Sequence, residues 1–331
     1  MNYFKLKHLW PTPLFIVLAM GLLLFSACQN QPKNKPPKNK GTFSISGAFA
    51  LYPLTVKWVE EFQKEYPDIR IDVSAGGAGK GMADVLANMV DLGMFSREVT
   101  PIEKEKGAWY IAVAKDAVVA TINHNNPFKK QLCAKGLSQK TFTDLYTVEK
   151  TWRWSDIDSH IPSTEAIHIY TRSDACGAAQ VWASFLGSNQ ESLKGIGVFG
   201  DPGMTDAVKK DIQGMGYNNI AYAFDVNTRK KYPGIAILPI DFNGNGIIDA
   251  NENVYQSLDS LMKAISIGSY PTPPARQLYF ISKGDPQNNL VKLFLDWVLT
   301  KGQAFVTQAG YVSLSQEEVL KQREFLRNAN Q

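Results

Sequence analysis

Cysteine and histidine are scarce. Three cysteines (Cys28, Cys133 and Cys176) and four histidines (His8, His124, His160 and His168) occur in 331 residues. So few cysteines exclude a disulfide framework, although Cys133 and Cys176 are left free to pair. No histidine stands at zinc-site spacing from a cysteine or another histidine, which argues against histidine-based metal chemistry. No apolar run reaches the roughly 20 residues that a membrane span needs. An excess of positive charge is also missing where it would matter. The formal net charge is +4, but six of the 35 basic residues are lysines within the first 40 positions. Beyond them, 29 basic residues face 31 acidic ones, a body of about −2. That excludes nucleic acid as a partner, and any bound anion must be held by local donors.

The first 40 residues have a composition of their own. Lys5, Lys7 and His8 precede an apolar stretch, Leu14 to Phe25, broken by Gly21 and followed by Ser26-Ala27-Cys28. This order reads as a secretory signal. Small residues directly before a cysteine resemble a bacterial lipobox, with Phe25 where a Leu-like residue is usual. Residues 1–28 are therefore expected to be a signal peptide and lipobox, with Cys28 lipidated. Residues 29–40 contain no apolar side chain and are expected to be a disordered tether. The expected location is extracytoplasmic, on the membrane through a lipid anchor. An ordinary secretion signal or an uncleaved anchor is the alternative.

From residue 41, strand, loop and helix repeat. The alternation at Ile69, Ile71 and Val73 predicts a strand, and Leu54, Trp58, Val59, Phe62 and Tyr66 share one helical stripe. Repeats of this kind predict an α/β fold with parallel strands. Trp109–Asn123 holds two nearly continuous apolar runs around Lys115-Asp116, and Ala275–Ser282 is a second such run. Both are expected to cross between lobes. The predicted architecture has two lobes, each a mixed sheet flanked by helices, joined by two hinge strands. Residues 41–123 and 274–331 form lobe 1, and 124–273 form an inserted lobe 2. Helices are expected around Ser138–Leu145, Val181–Leu186 and Val208–Gln213.

The segment Ile169–Ser184, IYTRSDACGAAQVWAS, carries the sharpest chemistry. A strand runs into Arg172, Asp174 and a small-residue turn, and a helix follows. Free N–H groups at a helix N-terminus beside an arginine suit an anion. Arg172 can grip it bidentately while Asp174 holds the guanidinium. A surface Arg–Asp pair before an ordinary helix is the plainer alternative. A second glycine-rich loop, Gly76–Gly81, lets backbone N–H groups approach an anion. It lacks the Lys-Ser/Thr ending of a nucleotide P-loop, which excludes an NTPase of that kind.

The stretches ISGAFALYPLTVKW, SAGGAGKGMADVLANMVDLGMFSRE, VAKDAVVATINHNNP, YTRSDACGAAQVWASFLG, GMGYNNIAYA, RQLYFISKG and GQAFVTQAGYVSL, in this order, resemble the extracytoplasmic phosphate-binding proteins of ABC importers. The resemblance spans about residues 41–315. It implies a type II periplasmic-binding-protein-like fold, capture of inorganic phosphate between the lobes, delivery to ABC permease subunits, a monomer, and no catalysis. It also places the ligand-binding positions. These are Ser46, Leu51 and Tyr52 at the first turn; Ala78, Gly79 and Lys80 in the glycine-rich loop; Ser96 and Arg97 after the third strand; and Arg172, Asp174, Cys176, Gly177 and Ala178. Hydroxyl donors of the family are replaced here by Leu51, Ala78, Cys176 and Ala178, so sulfate and molybdate stay open beside phosphate. A Cys176-based enzyme and a surface or sensor protein with a degenerate pocket are the readings from other classes.

Residues 241–252, DFNGNGIIDANE, match the twelve-residue calcium loop. Asp241, Asn243, Asn245, the Ile247 carbonyl, Asp249 and bidentate Glu252 would supply oxygens, and Gly246 the sharp turn. Helix is expected only on the exit side, Val254–Ile265, which suggests a structural calcium rather than a sensor. A calcium-free Asn/Gly turn is the alternative.

Overall fold

A computed structural model describes residues 39–328 of the chain. The signal, the lipobox with Cys28 and most of the tether lie outside the described residues.

Nine strands share one curled mixed sheet. Its order is Ile69–Ala75, Gly41–Gly47, Leu92–Phe95, Ala275–Lys283, Ala108–Asn123, Gly214–Asn219, His168–Arg172 and Ile196–Val198, with Ile235–Leu238 also paired to Ala108–Asn123. The two apolar runs expected at Trp109–Asn123 are a single 16-residue strand. Its first half pairs antiparallel with Ala275–Lys283, and its second half with Gly214–Asn219 and Ile235–Leu238. One long strand therefore joins what the sequence suggested as two separate sheets.

Two hydrophobic cores lie along that sheet. Val113 and Ala114 belong to the first, Ala117 and Val118 to the second. The polar interruption Lys115-Asp116 marks where the strand passes between them. In the first core, Trp58 and Phe62 of helix Tyr52–Glu65 pack on Phe280 and Phe294, with ring centroids 6.0 Å and 5.2 Å apart. In the second, Trp182 of helix Gly177–Phe185 stacks on Tyr217 at 5.7 Å and meets Phe142 edge-on at 5.2 Å. Such pairs add about 0.5–1.5 kcal/mol each beyond their burial. Their effect here is positional, because they fix the helix whose N-terminus faces the other core.

Local chemistry sets the remaining boundaries. The helix expected over Val208–Gln213 runs from Gly200 to Lys210, with Asp201 in its first turn. The helix after residues 241–252 starts only at Leu258, where the Ser257 hydroxyl accepts the Ser260 N–H at 3.1 Å. Cys133 and Cys176 are free thiols. No helix among the described residues is long and apolar enough to cross a membrane.

Candidate functional site

Strands Gly41–Gly47, Ile69–Ala75, Leu92–Phe95, His168–Arg172 and Ile196–Val198 all end at the same region, and helices begin there. In open α/β sheets ligands bind at this edge. Two helix N-termini from different cores approach each other across it. The Gly79 N–H donates to the Ala175 carbonyl at 3.0 Å. A Cβ on Gly177 would overlap the Ser96 carbonyl and hydroxyl oxygens, so only glycine permits this approach. Gly47, at φ +132°, lies against Gly81 for the same reason.

The donors left over define what this junction can do. Gly81 N–H bonds back to Gly77, and Ala179 N–H donates to the Cys176 sulfur at 3.4 Å. The N–H groups of Ala78, Lys80, Gly177 and Ala178 have no partner among the described residues. Neither does the Ser96 hydroxyl, on a residue 2% exposed. Unpaired N–H groups at helix N-termini are a ready anion site.

Arg172 lies beneath them with its side chain fully buried. Nε and Nη2 donate to the two oxygens of Asp174 at 2.8 and 2.7 Å, and Nη1 donates to Asp201 at 2.8 Å. The two carboxylates outweigh burial and hold the guanidinium above its ordinary pKa. Of its five N–H groups, three are used in this way, which fixes the planar fork between the two carboxylates. Arg172, Asp174 and Asp201 together carry one net negative charge. Attraction to an anion must therefore come from aligned dipoles, not from local charge.

The other positions named from the sequence are committed elsewhere. The Ser46 hydroxyl donates to Asp84 at 2.6 Å, and Lys80 pairs with the same carboxylate. Arg97 forms a fork with Glu103 at 2.9 and 2.6 Å. The N–H groups of Leu51 and Tyr52 close the first turn onto Ala48, because the helix begins there; in this turn the amides without partners among the described residues are Phe49 and Ala50. Tyr311 donates to the Ala50 carbonyl at 2.8 Å and fixes that turn. Cys176 caps its helix, and burial pushes its thiol up to about 12, against the pull of Arg172. That shift and its burial favour the protonated thiol at neutral pH. A thiol reagent should accordingly leave Cys176 unmodified at pH 8 in the folded protein and react only after unfolding; rapid folded-state labelling at that position would contradict the geometry.

Three residues were missed. Asp201, in a Gly-Asp-Pro-Gly helix start ahead of the expected helix, was not read from the sequence as a partner of Arg172. Phe49 lies with its ring 5.9 Å from the Arg172 guanidinium, edge-on to Phe199 at 5.9 Å, and its carbonyl accepts from Tyr222 at 3.2 Å. Asn219 donates to Asp201 at 2.6 Å and accepts from Arg276, which forks onto buried Asp116 at 2.7 and 3.1 Å. A continuous polar chain thus runs from the crossing strand to Arg172.

In the loop 241–252, Asp241 accepts the N–H groups of Gly244 and Gly246 at 2.7 and 2.8 Å. Glu252 accepts those of Phe242, Asn243 and Asp249 at 2.8, 3.1 and 3.0 Å. Asn243 and Asn245 each donate to Asp249 at 2.9 Å. The Ile247 side chain is 55% exposed. No three His, Cys, Asp or Glu side chains gather around a metal-sized point among the described residues.

Two α/β cores on a shared sheet, with helix N-termini meeting between them, define the periplasmic-binding-protein-like class. The chain belongs to the PBP superfamily, whose family model matches residues 33–301. It is 25% identical to the phosphate-binding protein PstS of Bacillus subtilis, over 93% of this chain and 95% of that one. It is 23% identical to PstS of Methanocaldococcus jannaschii, over 91% of each. Among solved structures, it resembles a Clostridium perfringens phosphate ABC transporter substrate-binding protein with bound phosphate (TM-score 0.67, 19% identity, 83% of this chain and 100% of that one). A Vibrio cholerae ABC-type phosphate transport receptor gives a TM-score of 0.59 at 16% identity, covering 82% of this chain and 100% of that one.

Proposed function

We propose that this protein is an extracytoplasmic solute-binding lipoprotein that captures phosphate between its two lobes and delivers it to an ABC permease. The observation that carries the reading is the pair of facing helix N-termini with unpaired N–H groups at Ala78, Lys80, Gly177 and Ala178, backed by Arg172. The names of the PstS relatives support phosphate over sulfate or molybdate. The lobes, 41–123 with 274–331 and 124–273, would open and close about the two crossing strands. Capture and release of the ion, the role the names of the relatives describe, are the proposed activity. Calorimetric titration with phosphate, sulfate and molybdate tests this. Saturable one-to-one binding of phosphate is expected; binding of sulfate with indifference to phosphate would refute the phosphate assignment. The lipid anchor at Cys28 predicts that Cys28→Ser leaves the membrane fraction, and unchanged membrane retention would argue against it.

A structural calcium in the loop 241–252 belongs to the same reading. Asp241 and Glu252 are 4% and 1% exposed, yet neither is bonded to a cationic side chain. Oxygen-rich side chains at the required spacing suit a hard cation, and Asp249 would exchange its asparagine partners for the metal. Calcium is expected to raise the melting temperature of chelator-stripped protein by a few degrees for each ~1 kcal/mol of binding free energy. An unchanged melting curve at millimolar calcium would exclude the site.

A further inference from the structure

Phe49 stands in the first turn, between Ala48 and Ala50 of the first core, yet its ring and its carbonyl both reach the second. The ring meets Phe199 edge-on at 5.9 Å. A Cβ added to Gly200 would come within 3.2 Å of that ring, so it rests directly against the glycine. The carbonyl accepts the Tyr222 hydroxyl at 3.2 Å. Three residues of the second core thus clasp one residue of the first. Phe199 is 62% exposed, and among the described residues its ring contact is with Phe49.

Two consequences reach the anion junction. The Phe49 carbonyl and the Ala50 N–H belong to one planar peptide unit. Bonding the oxygen fixes where that N–H points and polarises it as a donor. Ala50 is 2% exposed and its own carbonyl is held by Tyr311, but its N–H has no partner among the described residues. A buried N–H in this state is costly unless a ligand accepts from it. The second consequence concerns Arg172. The Phe49 ring lies 5.9 Å from its guanidinium and helps to keep water from it. Electrostatic attraction strengthens where water is excluded.

We infer that Phe49 is a positioning residue that couples closure of the lobes to retention of phosphate. With the lobes together, Phe199, Gly200 and Tyr222 seat it, and it aims the Ala50 N–H at the ion and covers Arg172. With the lobes apart, the ring loses its seat and the amide its orientation. Phe49 therefore governs how long phosphate stays, not how fast it arrives. The inference rests on the phosphate reading and deepens it.

The test is stopped-flow binding and release of inorganic phosphate by the full chain, followed by tryptophan fluorescence. Phe49→Ala is expected to release phosphate about tenfold faster with association nearly unchanged, the loss of one aromatic pair and one cation–π contact. Phe49→Tyr should restore slow release. Phe199→Ala changes an exposed side chain and threatens folding least; it should speed release about threefold, the loss of the aromatic pair alone. Combined with Phe49→Ala it should add nothing further, because both remove the same contact. Tyr222→Phe should reduce the phosphate-induced shift of the Ala50 amide resonance. Parent-like release from both single variants, an effect confined to association, or fully additive effects in the double variant would each overturn the inference. All three leave the phosphate reading standing. A parent protein that binds no phosphate would remove both.

Discussion

Arg172→Met is expected to abolish oxyanion binding and to destabilise the fold by about 3–5 kcal/mol, the usual effect of removing one partner from a buried ion pair. The side chain is fully buried between Asp174 and Asp201, which are themselves 9% and 1% exposed. Removing the guanidinium leaves two carboxylates facing each other with no cation. Asp174 keeps the Gly200 N–H at 3.1 Å, and Asp201 keeps Asn219. Neither replaces a charge. Urea unfolding and phosphate calorimetry on the same sample check both halves. A variant as stable as the parent would mean that Arg172 is not the buried keystone seen here. Arg172→Lys separates charge from geometry, because one ammonium cannot reproduce the fork onto Asp174 while reaching Asp201.

Gly177→Ala is expected to act in the opposite way, sparing stability and weakening binding. Alanine is the better helix former, so the helix Gly177–Phe185 itself gains slightly. The added methyl group, however, falls on the Ser96 oxygens of the opposite lobe. Overpacking costs about 1–3 kcal/mol, which would lower phosphate affinity roughly ten- to a hundredfold by disfavouring the closed arrangement. The melting temperature should stay level or rise, and small-angle scattering should show a larger radius of gyration that phosphate no longer reduces. Parent-like affinity would mean that closure does not bring Gly177 onto Ser96.

Much of this architecture could be read along the chain because it rests on local signals. Period-two and helical stripes mark the strands and helices of the first core, and the polar pair Lys115-Asp116 inside an apolar run marks the passage between cores. Arg172 and Asp174 are two residues apart, so their fork was legible from the sequence. Asp201 lies 29 positions from Arg172, and Asp116 lies 160 from Arg276. No local pattern announces such pairs, since only the sheet order brings them together. At the first turn, where Leu51 and Tyr52 were named from the family resemblance, their N–H groups close on Ala48, which leaves Phe49 and Ala50 as the amides without partners among the described residues. The Lys80 side-chain pairing was legible, since Asp84 stands four residues on, the spacing of a helical ion pair, and it leaves the Lys80 N–H rather than its ammonium for an anion.

The account stands on main-chain donors at two helix ends. Backbone amide NMR during a phosphate titration tests that most directly. The resonances of Ala78, Lys80, Gly177 and Ala178 are predicted to move downfield together and to saturate at one phosphate per chain. Saturable phosphate binding that leaves these four amides unmoved would contradict it.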